Sequence, residues 1–254
     1  MPLTPDEYDG WYYTKKGKYI SGLEKKVLLK MINPPSPPFS KGGLGGILDI
    51  GCGTGYFTQF LSGFCKNIVG VDTSMDMIKY AMKKREDRSQ KTEVRIKYIV
   101  ADAESLPFKD GSFDISVSIT AVNFFKNPVR DVSEVIRISR KKIFLGVLNR
   151  WSLLYFFKKV KGLIKNTSYS DVCFYSQREI TSVLSTIEVP LPSSERVGVR
   201  GIQAQHTYFL PFPRIHLLLS GLERIVPSWL PFGGFMGIAG DMELKQKRGW
   251  GYDA

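Results

Sequence analysis

Histidine and cysteine are scarce in this chain. Two histidines, His206 and His216, and three cysteines, Cys52, Cys65 and Cys173, occur in 254 residues. That supply gives no metal pattern, zinc least of all. The cysteines show no paired spacing, so they form no disulfide frame and read as reduced thiols of a cytoplasmic protein. No uninterrupted apolar run is long enough to span a bilayer. Met1-Pro2-Leu3-Thr4-Pro5-Asp6-Glu7 lacks the basic-then-apolar form of a signal peptide. Acidic residues are also few: 24 Asp and Glu stand against 36 Lys and Arg, a net charge of +12. Such a surplus favours an anionic partner, whether nucleic acid, an acidic membrane surface or an acidic small molecule. The plainer account is lysine-rich solvated faces, such as Lys83-Lys84-Arg85 and Lys141-Lys142. Apolar residues make up 43%, ordinary for a soluble protein, and the length suits one α/β domain with an ample core.

What the chain does have is a glycine-rich turn in a telling place. Ile47-Leu48-Asp49-Ile50 is a short β-type run that feeds into Gly51-Cys52-Gly53-Thr54-Gly55. Tyr56 to Leu61 then reads as a helix. Strand, glycine turn and helix open a nucleotide-binding βαβ unit. Glycine takes backbone angles a side chain forbids and lets a ligand approach the main chain. The free N–H groups that start the helix suit an anion such as a carboxylate. On its own the turn is a weak signal, but acidic residues follow it in order. Ile68-Val69-Gly70-Val71 ends in Asp72, about 20 residues on, where a carboxylate can accept from both hydroxyls of a ribose. Ile96 to Ala101 ends in Asp102. Together with Asp49, these fit a ligand lying across the carboxyl edge of a parallel sheet.

In order and spacing, four stretches resemble the class I S-adenosylmethionine-dependent methyltransferases, in particular the methyltransferase type 11 branch. They are Leu48–Gly55, Gly70-Val71-Asp72-Thr73-Ser74, Ala101-Asp102-Ala103-Glu104-Ser105-Leu106-Pro107-Phe108 and Ser112-Phe113-Asp114. The resemblance spans roughly residues 46 to 148. The turn is Gly-x-Gly-x-Gly rather than Gly-x-Gly-x-x-Gly, as suits a cofactor without a pyrophosphate. The resemblance implies a Rossmann-like α/β fold: a seven-stranded, mostly parallel sheet with an antiparallel last strand and helices on both faces. It implies S-adenosyl-L-methionine as cofactor, with Gly51, Cys52, Gly53 and Gly55 at the methionine end. Asp49 would position the turn and reach the methionine amine through water. Asp72 and its neighbour Thr73 would meet the ribose, Asp102 and Ala103 the adenine, and Thr120 would close the site at the end of the fourth strand. The reaction would be methyl transfer by in-line displacement to an oxygen, nitrogen or carbon nucleophile, which asks for alignment and exclusion of water more than for a catalytic side chain.

The rest of the chain divides into segments. Residues 1–46 hold an aromatic, basic stretch from Tyr8 to Tyr19 and a helix with Ile20, Leu23, Val27, Leu28 and Met31 at helical spacing. The resemblance makes this a cap over the cofactor, although these aromatics also suit plain packing on the sheet. A Pro- and Gly-rich insertion over 33–46 follows. Its Asn33-Pro34-Pro35 is like the start of an amino-methyltransferase signature, but Ser36 replaces the aromatic and the position is wrong. Ser74 caps a helix from Met75 to about Arg85. Ser112 to Ile119 is a buried fourth strand. Asn127-Pro128 starts a helix with Val132, Val135 and Ile136 inward, Ser139 to Lys142 reads as a turn, and Ile143 to Leu148 as the fifth strand. Residues 151–232 of the 47–242 domain are expected to face substrate, with apolar helices over Trp151–Ile164 and Ile215–Val226. A capping box at Ser176–Glu179 opens another helix. Arg196 to Arg200 is a sixth strand, Pro231 to Ala239 contains the last one, and 243–254 forms a polar tail.

Two residues are candidates for a catalytic side chain. Asn123 sits where the family usually has an acid or histidine and cannot serve as a base at neutral pH. His206 has an intrinsic pKa that suits proton abstraction, and the alternative is an ordinary surface or core histidine. The apolar helices point to a small hydrophobic acceptor, lipid- or quinone-like, with peripheral membrane contact as a corollary. The basic charge keeps RNA as a competing acceptor. A regulator or partner subunit that binds the cofactor without catalysis is the third alternative.

Overall fold

The computed structural model describes residues 4–33, 46–86, 95–152, 172–191, 195–207 and 234–245. The expected insertion at 34–45, the apolar helices over Trp151–Ile164 (from 153 on) and Ile215–Val226, and the tail from 246 lie outside these residues.

The sheet grows from apolar runs in the order the sequence leads one to expect. Strands β1 (Ile47–Ile50), β2 (Asn67–Asp72), β3 (Arg95–Val100), β4 (Phe113–Ile119) and β5 (Ser139–Leu148) are all parallel to one another. Strands β6 (Val189–Pro190), β7 (Arg196–Thr207) and β8 (Phe235–Lys245) complete it, in the order β3-β2-β1-β4-β5-β8-β7-β6. Strand β8 runs antiparallel between β5 and β7. Among the described residues the sheet thus has eight strands, one more than expected, the addition being the two-residue β6 on the edge of β7. The chain goes from β1 outward to β2 and β3, then returns to β4 on the other side. This reversal leaves a crevice above the carboxyl ends of β1 and β4, the usual seat of a ligand in such sheets.

Helices cover both faces. Helices α1 (Pro5–Tyr13), α2 (Lys15–Ile32) and α3 (Tyr56–Leu61) belong to a layer in which Val27, Leu28, Met31, Phe57 and Leu61 meet Ile47, Ile115, Val117 and Phe144. Helices α5 (Pro128–Ile138) and α6 (Gln177–Thr186) cover the other face, packing Val132, Val135, Ile136, Ile180 and Leu184 on Leu48, Ile50, Leu145 and Met236. Helix α4 (Met75–Glu86) sets Ile78 and Ala81 against Cys52 and Tyr98. Strand β4 is buried at every position, as a central strand must be.

Four segments differ from expectation. Residues 139–142 are strand, not turn, and β5 follows α5 directly. The reason is local pairing. Ser139 Oγ donates to Ser116 Oγ at 2.8 Å, and Arg140 and Lys141 both pair with Asp114 on β4, a carboxylate only 1% exposed. The basic run therefore answers a buried charge instead of marking a solvated loop. Strand β7 extends past Arg200 to Thr207, with Gly201 at a φ of +57° where the register shifts. Strand β8 runs through Lys245, so the polar tail starts later than 243. Helix α1 starts before, and runs into, the Tyr8–Tyr19 stretch read only as aromatic and basic. Thr4 and Glu7 form a full capping box around it, and Pro5 occupies its first turn, which is a helix-start signal.

Candidate functional site

The site begins with the backbone of the glycine turn. Gly51, Gly53 and Gly55 hold φ values of +70°, +51° and +75°. A Cβ at Gly51 would lie 2.2 Å from the Ala121 side chain, and one at Gly55 would lie 2.3 Å from Tyr98 Oη. Both the angle and the space therefore require glycine. The amides of Gly51 and Cys52 both donate to Val71 O, at 2.8 and 2.9 Å, which ties the turn to the end of β2. Asp72 follows at once. Its carboxylate accepts from Gly53 N–H at 2.8 Å through Oδ2 and from Ser74 N–H at 2.9 Å through Oδ1. Asp102 accepts from Glu104 N–H at 3.0 Å and is fixed in the same manner.

These pieces open onto a cleft of about 520 Å³ along the carboxyl ends of β1, β2, β3 and β4. Gly51, Gly53, Asp72, Thr73, Asp102, Ala103 and Thr120 all line it. Thr120 has a φ of +61°, a strained angle for a β-branched residue, and donates through Oγ1 to Ile119 O at 2.7 Å. Tyr8 comes down from α1 to form a wall of the cleft beside the turn, and a Cβ on Gly53 would approach its ring to 3.2 Å. Burial raises the Tyr8 phenol above its ordinary pKa, so it stays neutral. Of the aromatic stretch, Tyr8 reaches the cleft. Tyr12 instead stacks on Tyr56, with ring centroids 3.9 Å apart, and packs edge-on to Phe57.

Other proposed residues lie behind this surface. Asp49 is 1% exposed and accepts from Thr58 Oγ1 at 2.6 Å. Burial pushes its carboxyl up to about 7, opposed by that hydrogen bond and reinforced by the charge of Asp72. Cys52 is buried against β2 and Tyr98, and Gly55 starts α3. Asn123 and His206 are not among the described residues that line the cleft. Asn123 is fully buried. Its Nδ2 donates to Cys173 O, its Oδ1 accepts from Leu148 N–H at 3.1 Å, and its own carbonyl accepts from Cys173 N–H at 2.7 Å. It clips the end of β5 and the 173 segment to the turn after β4. His206 is 3% exposed, and Gln177 Oε1 accepts from its Nε2 at 3.0 Å, which leaves Nδ1 without a partner. Burial lowers its pKa, so the ring is neutral at pH 7.

The cleft is also lined by Phe124 and Phe125, in the segment after β4 where cofactor and substrate are expected to meet, and by Lys126 and Asp131, neither of them expected from the sequence. Asp131 carried a signal. It is in helical phase with the buried Val135 and Ile138, so a carboxylate was due to point inward. Among the described residues no group of three or more His, Cys, Asp or Glu could hold a metal ion, and no helix is long and apolar enough to cross a membrane.

Residues 48–145 match the model of a methyltransferase domain. An uncharacterized protein of Methanocaldococcus jannaschii is 31% identical over 83% of this chain and 85% of its own length. The chain belongs to the class I S-adenosylmethionine-dependent methyltransferases. Malonyl-[acyl-carrier protein] O-methyltransferase of Hamiltonella defensa is 25% identical over 64% of each chain. In fold, the methyltransferase is similar to the crystal structure of a SAM-dependent methyltransferase from Thermotoga maritima, with a TM-score of 0.59, 23% identity and coverage of 93% and 94% of the two chains. Its cofactor is S-adenosylmethionine, and the residues present fit that group. The turn forms a cradle that side chains would fill, the carboxylates at the ends of β2 and β3 are already oriented, and the cleft volume suits a ligand of this size.

Proposed function

We propose that this methyltransferase alkylates a small apolar acceptor that enters over Phe124. The observation that carries this reading is the exposure of that side chain. Phe124 lines the cleft and is nevertheless 61% exposed, and Val129 and Trp151, at 53% and 62%, follow the same carboxyl ends of β4 and β5. Large apolar groups left in water beside a cleft mark a surface that ligands cover.

The roles of the lining residues follow from their positions. Gly51 and Gly53 would leave room for the methionine end to approach the main chain. Asp72, held by two backbone N–H groups, would keep lone pairs for the ribose hydroxyls. Asp102 and the Ala103 backbone would meet the adenine, and Tyr8 would shield the cleft beside the turn from water. When bound, S-adenosylmethionine supplies a methyl group on a sulfonium centre that leaves as a neutral thioether. The protein need only align the acceptor and keep the site dry. Asn123 has both ends of its amide committed to backbone partners and is given no proton-transfer role.

A labelled-methyl assay tests the acceptor class. The protein is incubated with methyl-labelled S-adenosylmethionine and separate small-molecule, lipid and RNA extracts. Label should enter organic-extractable small molecules, and Phe124→Asp should weaken that transfer at least tenfold while leaving S-adenosylhomocysteine affinity unchanged. Label confined to RNA, or transfer indifferent to Phe124, overturns the reading.

A further inference from the structure

Asp131 is a costly residue where it stands. It lies on α5 at the cleft wall, is 2% exposed, and its Oδ2 has no hydrogen-bond partner. The charged and titratable groups that act on it come from three directions. Asp102 and Glu104 face it from the β3–β4 connection, Arg130 from its own helix and Tyr175 from the segment before α6. Lys126 lines the same cleft. Arg130 is drawn towards Glu104, at 3.6 Å. Burial first, and then the negative charge of Glu104 and Asp102, pushes the Asp131 carboxyl up to about 6. A buried carboxyl without a bound cation costs stability. Here it borders a cleft, where a ligand can supply the missing partner.

The neighbourhood says which part of the ligand that partner belongs to. Asp131 shares the cleft with Asp102 and Ala103, and Asp102 acts on it electrostatically. On the cofactor reading above, on which this inference rests, that is the adenine end. Adenine presents an amine donor beside ring nitrogens that accept. An ionised carboxylate can only accept, whereas a neutral carboxylic acid carries one O–H donor. A carboxylate that accepts beside a carboxyl that donates therefore matches such an edge. We propose that Asp131 is a further cofactor-binding residue, whose neutral carboxyl donates to an adenine ring nitrogen while Asp102 accepts from the exocyclic amine. The side-chain torsion that turns the carboxyl is soft, so ligand entry can bring the unpartnered oxygen round.

The test is calorimetric titration of S-adenosylhomocysteine into wild type, Asp131→Asn and Asp131→Ala at pH 6 and pH 8. Buffers of differing ionisation enthalpy report proton uptake, and the melting temperature of each ligand-free protein is taken alongside. Loss of the donor in Asp131→Ala should weaken binding at pH 6 by about tenfold. Asp131→Asn, which keeps an N–H donor, should stay close to wild type at pH 6. Wild type should take up protons on binding near pH 7 and bind more weakly at pH 8, and the Asn variant should do neither. Neither substitution should lower the melting temperature without ligand by more than about a degree, since each removes a buried carboxyl oxygen, Oδ2, that has no partner. A lowered melting temperature with unchanged affinity would make Asp131 a packing residue and overturn the proposal. PH-independent wild-type binding would overturn it too. Tight wild-type binding that is lost in Asp72→Asn but kept in Asp131→Ala would sink this inference alone, whereas no wild-type binding at all would sink the cofactor assignments with it.

Discussion

Single residues carry stated strain and stated charge, and both can be measured. Gly51 combines a φ of +70° with a Cβ position 2.2 Å from the Ala121 side chain. Gly51→Ala should lose about 2–4 kcal/mol, from the left-handed backbone and the overlap together, and should no longer bind the cofactor. Urea unfolding and titration check both, and a loss below 1 kcal/mol on the order-of-magnitude scale of a simple Gly-to-Ala change would contradict the geometry. Thr120 poses the reverse case. It pays for a φ of +61°, so Thr120→Gly should be neutral or stabilising by up to about 1 kcal/mol, and a clear destabilisation would show that its Oγ1 bond matters more. Glu24 tests charge. It is buried on α2, and burial lifts its carboxyl from the ordinary 4.5 to about 8 against the pull of Lys25. The folded state therefore holds the proton more tightly than the unfolded one, and stability falls as pH rises from 4.5 through 8. Glu24→Gln removes that penalty. Its stabilisation should be small near pH 5 and on the order of 2 kcal/mol at pH 8, and an equal effect at both pH values would refute the assignment.

At the scale of elements, the placement of α1 decides whether Tyr8 can wall the cleft. Lys84 on α4 pairs with Asp9 on α1 at 2.5 Å, with side chains 10% and 6% exposed, and Thr54 of the glycine turn donates to the same Asp9 oxygen at 2.8 Å. A single buried carboxylate thus ties cap, turn and α4 together. Lys84→Met strands that charge and should cost about 3 kcal/mol. Hydrogen exchange over residues 5–13 should accelerate and cofactor affinity should fall. Adding Asp9→Asn should recover most of the loss. Unchanged exchange in the single variant would show that α1 is held by its aromatic packing instead. Elements also show what local sequence conveys. β1, α3 and α5 could be read from apolar phase, glycine and Asn-Pro signals. The start of β5 could not, because Arg140 and Lys141 look solvated until Asp114 is brought beneath them from β4. Helix α1 is legible in Thr4-Pro5-Asp6-Glu7, a capping box with proline in the first turn.

For the whole molecule, the succession of strands and the position of the cleft were legible because both follow from where apolar runs end in glycine or aspartate. The cleft gathers Gly51, Gly53, Asp72, Thr73, Asp102, Ala103 and Thr120 from four strand ends. Asp49, Asn123 and His206 were harder. Sequence puts them near the right edge, but their burial and partners depend on Thr58, Cys173 and Gln177, which arrive from elsewhere in the chain. Asp131 was visible only as a carboxylate in phase with the buried face of α5 and gained meaning once Asp102 and Glu104 stood beside it. The central claim is that the carboxylate-rimmed cleft holds the cofactor of this methyltransferase through Asp72. Calorimetric titration of S-adenosylmethionine into wild type and Asp72→Asn tests it most directly. The account predicts one site per chain in wild type and at least tenfold weaker binding in the variant, with its fold retained by circular dichroism. Equal binding by both proteins would contradict it.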